Sequence, residues 1–93
     1  MKKAAIYGAG NFGKRMLAFL QDIGNTPTTF IQSSEPDLKE YKGVPIISAE
    51  EYFRRKEESL VFIAIDDSDV VNAVYELFEK NGYDRNRIFD CRS

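Results

Sequence analysis

Five short apolar runs mark this chain, and most are separated by longer stretches whose apolar positions fall three or four residues apart. Lys3–Tyr7 reads as a first strand. Its unbroken core Ala4-Ala5-Ile6-Tyr7 predicts burial on both faces, as in a parallel sheet. A helix is expected from Asn11 to about Ile23, with Phe12, Met16, Phe19, Leu20 and Ile23 as its buried stripe. Lys14, Arg15, Gln21 and Asp22 fall on the solvent side. Gly24-Asn25 ends this helix, and Pro27 keeps it from resuming.

The second strand is Thr28-Thr29-Phe30-Ile31, and Gln32 to Asp37 forms a polar connection. Val44-Pro45-Ile46-Ile47 is a short third strand. Pro45 has no ladder donor, which predicts an edge position. Ser48-Ala49-Glu50-Glu51 reads as a capping box opening a helix to about Glu58. Leu60–Ile65 is the most hydrophobic run and the expected central partner of the first strand. Asp66-Asp67-Ser68-Asp69 then starts a helix that carries Val70, Val71, Val74, Leu77 and Phe78 inward and stops at Asn81-Gly82. Arg87–Cys91 is the last strand. Strands joined by helices through short turns imply an α/β three-layer sandwich around a parallel sheet of about five strands in the order 3-2-1-4-5. Residues 1–93 make one domain, and the end soon after a strand suggests a module of a larger protein.

The chemistry centres on Gly8-Ala9-Gly10-Asn11-Phe12-Gly13, between the first strand and the first helix. This GxGxxG spacing is that of a dinucleotide-binding turn. Gly8 permits the bend, Gly10 lets a pyrophosphate approach the backbone, and Gly13 lets the helix pack closely. The helix N-terminus would face the anion. The alternative is that the glycines serve only the turn and the packing. Ligands of such sheets bind beyond the carboxyl ends of the strands, which sets Asp66, Asp67 and Ser68 across from the turn. Those aspartates also read as caps of the following helix. The fingerprint further asks for an acid after the second strand to hold ribose hydroxyls, but Gln32 and Ser33 stand there.

Other candidates carry less. Tyr52 and Lys56 have the Tyr-x-x-x-Lys spacing of short-chain dehydrogenases, but the chain is too short to place them after a complete cofactor half. Cys91 has no histidine to activate it and reads as a small buried residue. With no histidine, the sequence lacks the commonest metal ligand and general base;. A net charge of −2 gives no basic footprint for nucleic acid;. No run approaches a membrane span, Met1-Lys2-Lys3 precedes too short an apolar run for a secretory leader, and a cytoplasmic setting is the default.

Over its whole length the chain resembles a Rossmann-like module at the front of bacterial sugar-nucleotide enzymes. These include capsule-type nucleotide-sugar epimerases and dehydratases, sialic-acid-type sugar acetyltransferases and FkbM-type methyltransferase proteins. The resemblance rests on Ile6–Gly13, Phe30-Ile31, Gly43–Ser48, Val61–Ile65 and Asn81-Gly82-Tyr83 before Ile88-Phe89. This sequence has Gln32-Ser33 where those relatives usually carry an aspartate pair. The resemblance implies a nucleotide-binding module for NAD(P) or a nucleotide sugar in polysaccharide biosynthesis, with no catalysis of its own. The expected contacts are Gly8, Ala9, Gly10, Asn11, Phe12, Gly13, Gln32, Ser33, Asp66 and Asp67. The alternative is a structural or regulatory module that forms a homodimer or docks on a fused catalytic domain.

Overall fold

A computed structural model of the chain describes residues 3–92. Met1 and Lys2, read above with the leader question, and Ser93 lie outside the described residues. The elements are β1 (Lys3–Tyr7), α1 (Asn11–Asp22), β2 (Thr29–Gln32), β3 (Glu40–Tyr41), β4 (Val44–Ser48), α2 (Ala49–Arg55), β5 (Ser59–Ile63), α3 (Ser68–Lys80), a 3-10 turn (Arg85–Arg87) and β6 (Ile88–Asp90). They build one α/β sheet in the order β3-β4-β2-β1-β5-β6.

That order corrects the expected 3-2-1-4-5 in two respects. The sheet has six strands, and it is mixed: β3 runs antiparallel to β4 while the other pairs are parallel. The extra strand comes from a two-residue hairpin at Lys42-Gly43, where both residues have positive φ (51° and 81°). Such a turn matches the natural twist of paired strands. The third strand of the sequence reading, β4, is therefore not at the edge. Its pairing with β2 begins only at Ile46, opposite Phe30, so Pro45 withholds no bond from that ladder. On the other side Ile46 N–H donates to Lys39 O at 2.9 Å.

The register sorts side chains into two layers. Ile6, Phe30, Ile46 and Phe62 lie side by side across β1, β2, β4 and β5 and face α1. Tyr7, Ile31 and Ile63 point the other way, toward Tyr52 of α2 and Val71, Val74 and Phe78 of α3. Tyr52 is fully buried, and its hydroxyl shares a hydrogen bond with Ser59 Oγ. A group of aromatic rings, Tyr7, Tyr52, Phe53, Phe78 and Tyr83, fills this second layer edge to face;.

Local boundaries follow from backbone chemistry. Ser48 Oγ accepts from Glu51 N–H at 3.1 Å and starts α2. The helix stops at Arg55 rather than Glu58, because Lys56 turns left-handed with φ of 52°. The central strand ends at Ile63 rather than Ile65, and the last strand is trimmed to Ile88–Asp90.

The expected stripe of α1 is corrected. Gly13, Leu17 and Leu20 face the sheet, whereas Phe19 and Ile23 are 56% and 63% exposed. The cause is Gly13, whose contact with the glycine turn sets the rotation of the helix, so that positions four and seven residues later follow it inward. Val70 on α3, also expected inward, is exposed. This phase is testable by urea unfolding: Leu17→Ala should cost about 2–5 kcal/mol, while Phe19→Ala should stay near 0.5 kcal/mol, as expected of a surface position.

Candidate functional site

Each turn residue is placed by the end of β1. Ala64 N–H donates to Tyr7 O at 2.9 Å, and Gly8 N–H donates to Ile31 O at 2.8 Å, so the strand is held between β5 and β2 to its last residue. Gly8 then bends with φ of +117°, and a Cβ there would lie 2.6 Å from Ala64 O. A Cβ on Gly13 would sit 1.8 Å from Gly8 O. Both glycines are required by the fold itself. Gly10 is different: its φ is −84°, and a Cβ would meet nothing within 4 Å.

Gly10 is the N-cap of α1. No side chain caps this helix, and its first turn holds no acid. Lys14 N–H closes the first helical bond, to Gly10 O at 3.0 Å. The N–H groups of Asn11, Phe12 and Gly13 thus have no acceptor within the helix. The other two helices are finished differently. Asp67 Oδ1 accepts from Asp69 and Val70 N–H at 3.0 and 3.3 Å at the start of α3, as Ser48 does for α2. Of the two aspartates read as caps, Asp67 alone acts as one among the described residues.

Asp66 instead is exposed and joins Phe12, Arg15, Cys91 and Arg92 in an open groove of ≈ 390 Å³. The groove lies beyond the carboxyl ends of β5 and β6, beside the first turn of α1. The Arg15 guanidinium stands 5.5 Å from the Phe12 ring centre. Lys14 turns away, its ammonium over Tyr41 at 4.8 Å. Gln32 ends β2 half-buried, with Nε2 donating to Ser34 O at 3.5 Å, and Ser33 is exposed. These two stand at the carboxyl end of the strand next to β1. Ala9 packs against the core on the α1 side, and Asn11 is exposed.

Cys91 is half-buried, and burial pushes its thiol up to about 11, with Asp90 adding to the effect. At neutral pH it is the protonated, unreactive form. Tyr52 and Lys56 do not form a pair: the tyrosine is in the core, and Lys56 is exposed at the helix end. A second groove of ≈ 380 Å³, which includes Phe53, Lys56, Glu57, Tyr83 and Arg87, opens at the amino end of β5 and β6. It lies at the other end of the sheet from the glycine turn.

Arg92 escaped the sequence reading. The signal was its place directly after the last strand, since residues there reach the same end of the sheet as the glycine turn.

These features define an α/β domain whose first strand delivers a glycine turn and an uncapped helix start to the carboxyl edge of the sheet. The chain belongs to the PglD N-terminal domain family, whose model matches residues 3–78. That is the N-terminal domain of a sugar acetyltransferase, and membership points to sugar-nucleotide biosynthesis. No curated protein matches the chain. Among the described residues, no helix is long and apolar enough to cross a membrane.

The division among the glycines has a measurable consequence. Gly13→Ala should lower stability by at least about 2 kcal/mol, a value at the upper end for overpacking of a closed contact. Gly10→Ala should cost no more than about 1 kcal/mol, since the position has room for a Cβ and only the N-cap preference for glycine over alanine is lost. Thermal and urea unfolding of the two variants would check both.

Proposed function

We propose that this chain is a Rossmann-like nucleotide-binding module, without catalysis of its own, that serves a sugar-nucleotide enzyme. The phosphates of a nucleotide sugar, or of NAD(P), would rest on the free N–H groups of Asn11, Phe12 and Gly13, over the bare backbone of Gly10. Gly8 and Gly13 shape the turn beneath them. Asp66 stands where sugar hydroxyls would lie across the crevice, and Gln32 and Ser33 beside the ribose. Asp67 contributes by fixing the start of α3.

The observation that carries this reading is Gly10. Glycine is accepted at an N-cap, but serine, threonine, aspartate or asparagine would cap the helix with a side-chain acceptor, and packing gives no reason for leaving one out, since a Cβ would point into open space. A ligand approaching the backbone supplies one. Between the two ligand classes, a nucleotide sugar is the better match. The family points to sugar-nucleotide chemistry, and Gln32 and Ser33 offer no carboxylate for the charge-assisted ribose bond that tight NAD binding uses.

A thermal-shift screen with UDP-sugars, NAD, NADP and CoA tests the proposal. A ligand present at a hundred times its Kd should stabilise the chain by about 2.7 kcal/mol. Gly10→Val, measured against its own ligand-free melt, should lose that shift. A flat response of the wild type to every compound would sink the nucleotide reading.

A second reading, a homodimer or docking module, draws on a separate observation. On the α1 side of the sheet Phe62 and Phe89 stack at 5.3 Å beyond the helix, Phe89 is 40% exposed, and Phe19 and Ile23 also face solvent. Light scattering at high concentration should then find a dimer that Phe19→Asp converts to monomer. A wild-type monomer under those conditions would count against self-association.

A further inference from the structure

Carboxylates crowd the crevice in which an anionic ligand is proposed to bind. Asp66 lines it, Asp67 and Asp69 occupy the start of α3, and Asp90 ends β6. Left alone, they would repel a diphosphate. Arg92 follows Asp90 by two residues and lines the same groove as Asp66. Its guanidinium forks onto both oxygens of Asp90, with contacts of 2.7, 3.1 and 3.2 Å, and its backbone N–H donates to Asp90 Oδ1 at 3.0 Å. Nη1 donates to Ser68 Oγ at 2.7 Å, at the first residue of α3.

The same fork that neutralises Asp90 therefore ties the end of β6 to the start of α3. Only 27% of the Arg92 side chain and 29% of the Asp90 side chain are accessible, so the pair is partly shielded from solvent. The electrostatics agree with this geometry. Hydrogen bonding from Arg92 holds the Asp90 carboxyl below its usual range. Asp90 first, and then the fields of Asp66 and Asp67, raise the affinity of the guanidinium for its proton. Arg15 is the second guanidinium on the same groove. Without Arg92, Asp90 is left uncompensated and the excess of carboxylates at this end of the sheet grows by one charge.

We infer that Arg92 is the charge-balancing residue that makes this crevice permissive to a nucleoside diphosphate: it neutralises Asp90, lessens the acidic excess beside Asp66 and Asp67, and latches β6 to α3. The inference rests on the nucleotide reading above and adds to it a residue that selects for the diphosphate rather than for the nucleoside.

NMR titration of the intact chain with UDP, ADP and uridine separates the possibilities. Arg92→Gln should weaken UDP or ADP binding about tenfold, the scale of losing one charge partner, and leave uridine within about twofold. Arg92→Lys keeps the charge without the planar fork and should recover most of the loss. It also guards against a glutamine variant that fails to fold. Unchanged diphosphate affinity in Arg92→Gln, or an equal loss for uridine, would overturn the inference while leaving the nucleotide reading in place. A wild type that binds none of the three probes would overturn both.

Discussion

The contact that shapes this domain is between two glycines. Gly13 lies so near the carbonyl of Gly8 that no side chain fits between them, and much of the α1 side follows from that approach. It fixes how far α1 sits from the sheet and how the helix is turned about its axis. Leu17 and Leu20 are thereby directed onto Ile6, Phe30 and Ile46. It also brings the open start of the helix over the end of β1, where the backbone of Gly10 lies bare. Packing and candidate site are two results of one close approach.

Much of this was legible in the residues. Alternating apolar runs located all five longer strands, because β-branched and aromatic runs between turn residues are strong local signals. The helix stops at Gly24 and Gly82 were equally readable, since both adopt the left-handed backbone that ends a helix;. The phase of α1 was misjudged although Gly13 had been given the role of close packing. The large apolar residues of the helix outnumber the signal of that single glycine, whose close approach to Gly8 is what directs Phe19 and Ile23 outward. The hairpin strand β3 was missed because two residues carry no periodicity. Its only trace was Lys42-Gly43, one residue short of the usual asparagine–glycine pair.

The site was legible in part. The glycine turn and the carboxyl end of the sheet were located by local pattern, and Asp67 was recognised as a cap. Arg92 was not located, because it is joined to Ser68 by folding and not by proximity in the chain. Pairings across a parallel sheet leave no spacing in sequence to count. The division between Asp66, free on the groove, and Asp67, spent on a helix end, was hidden for a similar reason: adjacent identical residues are told apart only by the backbone on which they sit.

The two outer strands have a further effect. β3 has two residues and β6 has three, so each rim of the sheet offers only a few unpaired backbone groups. The most hydrophobic strands, β1 and β5, are shut between neighbours. A second chain seeking to extend the sheet would find too little ladder to hold it. Short rims of this kind resist the edge-to-edge stacking that leads to fibrils.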